Sequence, residues 1–170
     1  MQKDYKPMED ERQQISYNSA LISIYYLESV LSRIINTEGV GKQRNKYTRE
    51  VVLAIRQLMV QSGISEETRD LAAFIAMRLQ AIFDTIEITV TPWEKRDYWV
   101  KADRFRMDWA WSGDYAKEMR QAVFQDNWPE VAVISTKTAE KLKKIEISTR
   151  HRLGEPWHGA YQKLIDIQSD

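Results

Sequence analysis

Apolar positions recur along this chain at helical spacing, and the pattern predicts helices from end to end. Between about Gln14 and Ile35, Tyr17, Leu21, Ile24, Leu27, Leu31 and Ile34 form one stripe. Ile22, Tyr26 and Val30 widen it, which predicts a helix buried on more than one side. Gly39 and Gly41 are expected to end that helix and open a basic turn. A second helix is expected from about Thr48, with Val51, Val52, Ile55, Leu58 and Met59 inward and Gly63 as its stop. Ser65 offers an N-cap, and Glu66 and Glu67 suit the positive end of a helix dipole. The third helix is expected to reach about Ile86, burying Leu71, Phe74, Ile75, Leu79, Ile82 and Phe83. The β-branched run from Ile86 to Val90 fits helix or strand.

Thr91-Pro92-Trp93-Glu94 has the form of a capping box with proline at the first helical position. Tyr98, Ala102, Phe105 and Trp109 then share a face, and Ser112-Gly113 is the expected break. A helix from Asp114 to Gln125 would turn Met119, Val123 and Phe124 inward, with Asn127-Trp128-Pro129 as the next boundary. A basic helix around Thr138 to Ile147 and a last one around Ala160 to Ile167 follow, separated by Gly154-Glu155-Pro156. The expectation is an all-α, compact bundle of about six or seven helices. It forms a single domain over residues 14–170, preceded by a charged N-terminal segment, residues 1–13.

Composition narrows the function classes. At 170 residues the chain suffices for one domain with a real core. With no cysteine, disulfides and thiolate metal sites are excluded, which suits a reducing compartment. No apolar run is long enough to span a membrane, and the charged N-terminus carries no signal-peptide pattern, so a cytoplasmic protein is expected.

Catalytic signatures are missing. Thr37-Glu38-Gly39-Val40-Gly41-Lys42 ends like a phosphate-binding loop, but Asn36 stands near the first glycine's place and Gln43 where Ser or Thr would hold magnesium. His151 and His158 flank Gly154 and Pro156 with no third ligand in pattern, so no metal is expected. No serine sits in a nucleophile-elbow setting. Asp103 and Asp108 read as acids on a solvated face. A non-enzyme without cofactor is the expectation.

The net charge is zero, which speaks against a protein that grips nucleic acid with its whole surface. The cations are nonetheless clustered. Lys42, Arg44, Lys46, Arg49 and Arg56 face only Glu50, and Lys137, Lys141, Lys143, Lys144, Arg150 and Arg152 face Glu140 and Glu146. Such stripes are either solvated helix faces or local phosphate contacts. The aromatic stretch from Trp93 to Tyr115 also has two readings. Tyr98, Phe105 and Trp109 share a face and suit a core, while Trp93, Trp99 and Trp111 stay open between packing, a partner and base stacking beside Lys95, Arg96, Lys101, Arg104 and Arg106.

Two segments carry a family resemblance: Tyr47-Thr48-Arg49-Glu50-Val51-Val52-Leu53-Ala54-Ile55-Arg56 after the basic turn, and Lys101-Ala102-Asp103-Arg104-Phe105-Arg106-Met107-Asp108-Trp109. Together they resemble the C-terminal helical region of the large subunit in type I CRISPR surveillance (Cascade) complexes, closest to the type I-D form. In several such systems that region is also made separately as a small subunit from an internal methionine, and Met1 with its acidic, linker-like sequel looks like such a start. The resemblance would cover the chain from about Gln14 onward. It implies a non-catalytic small subunit of an antiviral ribonucleoprotein, present in more than one copy. Such a subunit packs on the backbone and large subunits, meets guide RNA indirectly, and steadies the target and displaced DNA strands of the R-loop. The neutral net charge departs from the basic character of many small subunits.

Overall fold

A computed structural model describes residues 37–148 and 150–169, within the compact unit Thr37–Asp170. The helix expected over Gln14 to Ile35 and the charged N-terminal segment lie outside the described residues. Among the described residues the chain is mostly helical and contains no strand. The helices are α1 (Thr37–Met59), α2 (Glu66–Glu94), α3 (Trp99–Trp109), α4 (Trp111–Phe124), α5 (Trp128–Lys141) and α6 (Ala160–Ser169).

Helix α2 is the centre of the bundle, with α1, α3, α4 and α6 packed around it and α5 resting on α4 and the flank of α1. Its sequence explains the position. Leu71, Ala72, Ala73, Phe74, Ile75 and Ala76 are six consecutive buried residues, so this part of the helix is covered all round. The three alanines let neighbouring helices approach, while Leu71, Phe74 and Ile75 fill the space between them. Ser65 caps α2 as expected. Its Oγ accepts from the Thr68 N–H at 3.1 Å, and Thr68 Oγ1 accepts from the Ser65 N–H at 3.1 Å. A threonine thus completes the capping box where a glutamate is usual.

The glycine turn is helix instead. Gly39 and Gly41 lie in the first turns of α1, at a cost of about 1 kcal/mol each relative to alanine. The buried stripe Val40, Arg44, Thr48, Val51 and Ile55 offsets that cost. Pro92 likewise lies inside α2 rather than at the start of a new helix. Thr91 Oγ1 donates back to the Glu87 carbonyl at 2.7 Å and caps nothing. Ile86 and Val90 are buried against Ala102 of α3, and that packing carries the helix through its β-branched run and past the proline.

Aspartates make the turns that follow. Asp97 (φ 61°) is left-handed, with its N–H donating to the Glu94 carbonyl and that of Tyr98 to the Trp93 carbonyl, each at 3.0 Å. This is a Schellman closure of α2. Asp126 (φ 50°) ends α4 in the same way, Asn127 N–H donating to the Ala122 carbonyl at 2.9 Å. Aspartate tolerates the left-handed region better than most side chains.

The α3–α4 break falls at Ala110, and Ser112-Gly113 sits inside α4. Gly113 is needed there: a Cβ would lie 2.6 Å from Cδ2 of Phe83, whose ring covers the bare backbone and is 41% exposed rather than core. The boundary expected at Asn127 is the N-cap of α5, its Oδ1 accepting from Glu130 N–H at 3.3 Å. Helix α5 stops at Lys141, so the helix expected over Thr138 to Ile147 is not formed. Beyond Leu142, Ile145 and Ile147 are half-buried while Lys144, Glu146 and Ser148 are exposed, the two-residue alternation of extended chain. Trp157, Ala160 and Leu164 then close the core, with the Trp157 ring edge-on to Phe74 at 6.5 Å.

Candidate nucleic-acid interface

Helix α1 presents Lys42, Lys46, Arg49 and Arg56 to solvent. At 100° per residue these four span an arc of roughly 80°. Lys46 lies 3.7 Å from Glu50; Lys42, Arg49 and Arg56 have no carboxylate within ion-pair distance among the described residues. Arg44 does not belong with them. It falls on the stripe of Val40, Val51 and Ile55 and is 9% exposed. Its Nη1 donates to Thr85 Oγ1 at 3.3 Å and Thr89 Oγ1 at 3.1 Å, and its guanidinium lies 4.7 Å from the Phe105 ring centre and 5.2 Å from that of Trp109. Burial pushes its pKa below the ordinary arginine value. Arg44 fastens α1 to α2 and α3 and is no surface contact.

The second group is not a helix face. Lys137 and Lys141 stand on α5, Lys143 and Lys144 on the turn after it, and Arg150 and Arg152 on the segment leading to Gly154. All six are exposed, and among the described residues only Lys143 has an acid partner, Glu140. The structure brings the two groups together at one place. Arg56 and Lys143 line a cavity of about 190 Å³ between the C-terminal ends of α1 and α5, walled by Val52, Ile55, Met59, Ala139, Leu142 and Ile145. Met59, expected inward, is 66% exposed at its rim.

The aromatic residues divide cleanly. Trp93, Phe105, Trp109, Trp111 and Tyr115 form a continuous ladder, with successive ring centres 5.3, 6.3, 6.3 and 5.4 Å apart. Trp93 and Trp111 are therefore packing residues. Trp99 is outside the ladder and 54% exposed, next to Tyr98 at 55%. Tyr98 leaves the core face because the Asp97 turn ends α2 before it, and α3 begins only at Trp99.

Arg106 is spoken for by acids. It makes a two-pronged pair with Glu87 at 2.8 and 2.9 Å and a third bond to Glu94 at 2.6 Å. Those bonds raise the Arg106 pKa, and the bond from Arg106 holds Glu87 below the usual carboxylate value. Glu50 is also engaged. Its buried carboxylate lies 2.7 Å from Arg78 Nε, off the hydrogen-bond line, so the contact is an ion pair. Sequence reasoning missed these pairings because the partners stand on different helices.

Among the described residues, no three acids or histidines converge as a metal site, and no helix is long and apolar enough to cross a membrane. No protein family, curated protein or solved structure matches the chain.

Proposed function

We propose that this chain is a non-catalytic, nucleic-acid-contacting small subunit of a type I CRISPR RNA-guided surveillance complex. In this reading it lines the complex interior beside the backbone and large subunits, in more than one copy, and steadies the target and displaced DNA strands. The observation that carries the reading is the meeting of two exposed cation groups at Arg56 and Lys143. Nine exposed cations there and along the two stripes (Lys42, Arg49, Arg56, Lys137, Lys141, Lys144, Arg150, Arg152 and, less freely, Lys46) lack a close acid among the described residues or hold only a distant one. Phosphates supply the missing charge. The setting comes from the resemblance of Tyr47–Arg56 and Lys101–Trp109 to the helical region that ends the large protein of such complexes.

The test is DNA binding by the assembled complex containing Lys42→Ala, Lys46→Ala and Arg49→Ala together. Each lost phosphate contact on a single strand should lower the slope of log affinity against log salt by about 0.7. Unchanged affinity and slope, there and in a Lys141→Ala, Lys143→Ala, Lys144→Ala variant, would remove the reading. A second reading, a helical adaptor that touches no nucleic acid, is favoured by Val100 and Met107, which stand 74% and 72% exposed on the outer side of α3.

A further inference from the structure

We propose that the corner joining α2 to α3 is a base-stacking site for single-stranded nucleic acid. Tyr98 and Trp99 are its platform, and Lys95, Arg96, Lys101 and Arg104 are its phosphate contacts. The inference rests on the nucleic-acid reading above but concerns different residues. Five neighbouring aromatic rings are used up in the interior ladder, yet these two stand together in solvent. An open cavity of about 450 Å³ lies at them, lined by Asp97, Tyr98, Trp99, Val100, Lys101 and Arg104. That volume is within the usual range for small-molecule sites.

Charge selects the occupant. Lys95, Arg96 and Arg104 are exposed and have no acid partner among the described residues, and the Lys101 ammonium lies over Trp93 at 4.1 Å. Asp97 is the one acid in the lining. Asp103 is already drawn toward Arg106 at 3.6 Å. Cations around flat apolar rings match a polymer that alternates anion and planar disc, and a single strand does so at every residue. The paired hydrogen bonds that close α2 at Asp97 hold this turn in place, so the platform is formed before a strand arrives.

The experiment measures fluorescence anisotropy of two labelled strands with the full chain: oligothymidine, and an abasic strand of equal length with the same phosphates. Tyr98→Ala with Trp99→Ala should weaken oligothymidine binding by roughly 5- to 150-fold, the range for one stacked base. It should leave the abasic strand unaffected, and Trp99→Phe with Tyr98 retained should restore most of the loss. Circular dichroism checks that the fold is kept. Equal loss on both strands, or no loss on oligothymidine, overturns the stacking site; the second result assigns the rings to a protein partner instead. The Lys42→Ala, Lys46→Ala, Arg49→Ala variant separates the two proposals. If it weakens both strands while the ring variant binds like wild type, the stacking site fails and the proposed function stands. If wild type binds neither strand, the stacking site fails, while the proposed function is decided by the assembled complex.

Discussion

The Asp70 carboxylate, in the first turns of α2, accepts the backbone N–H of Gly159 at 2.7 Å. Its other oxygen accepts from the Tyr161 N–H at 2.9 Å, so one buried acid caps the start of α6 from another helix. Gly159 adopts φ 70°, in the left-handed region that glycine enters without a Cβ penalty. Asp70→Ala should cost about 2–3 kcal/mol, since two charge-assisted bonds vanish and two donors are orphaned. Asp70→Asn, which keeps one acceptor, should cost about half of that. Urea unfolding gives the totals, and faster amide exchange at Gly159 and Tyr161 locates them.

Arg44 and its neighbour Lys42 should respond in opposite ways. Arg44→Ala removes a side chain held between two threonines and two aromatic rings and should destabilise by about 2–4 kcal/mol. Arg44→Met keeps the packing and leaves no carboxylate unpaired among the described residues, so it should cost about 1 kcal/mol or less. Lys42→Ala, on the open face, should change stability by less than about 0.5 kcal/mol. Similar urea midpoints for Arg44→Ala and Lys42→Ala would contradict the inward placement of Arg44.

A double-mutant cycle tests the contact between Gly113 and Phe83. Alone, Gly113→Ala forces the ring out and should destabilise by about 1 kcal/mol. In a Phe83→Ala background the clash is gone, and the same change should stabilise by up to about 1 kcal/mol through helix propensity. Additive effects would mean that the ring does not lie where the structure puts it.

The Glu87–Arg106 pair sets a pH dependence. The folded pKa of Glu87 is lowered, chiefly by its hydrogen bond from Arg106, so its contribution to stability is complete above the ordinary glutamate value. It is lost as pH falls through the lower, folded value. Glu87→Gln should therefore lower the melting temperature at neutral pH, and the difference should vanish in acid. The effect is small because Glu87 is mostly exposed, and added salt should shrink it further. A difference that persists at low pH would assign the loss to packing instead.

Much of the helical pattern could be read from the residues, and its failures share a cause. The Ser65 cap, the boundary at Asn127 and the last helix are legible because caps and amphipathic stripes are local signals. Gly39 and Gly41 signal a stop and Pro92 a start, yet tertiary burial of Val40, Ile86 and Val90 outweighs those local propensities. The glycine signal also hides Arg44. Once α1 is extended to Thr37, positions 40, 44, 48, 51 and 55 form one buried stripe, and an arginine on it is visibly misplaced for a surface role. The remaining cations were legible as exposed. That Arg56 and Lys143 share a cavity was not, since it depends on how α1 and α5 pack.

Because α2 is completed by α6, its packing during synthesis waits for a segment made much later. Asp70 and Phe74 leave the ribosome well before the residues that cover them, and 89 positions separate Asp70 from Gly159. At cellular elongation rates the gap lasts roughly 4–18 s. Through that interval α2 carries an apolar side and a carboxylate with nothing to cap. A nascent chain stalled short of Trp157 would show that surface to chaperones and proteases.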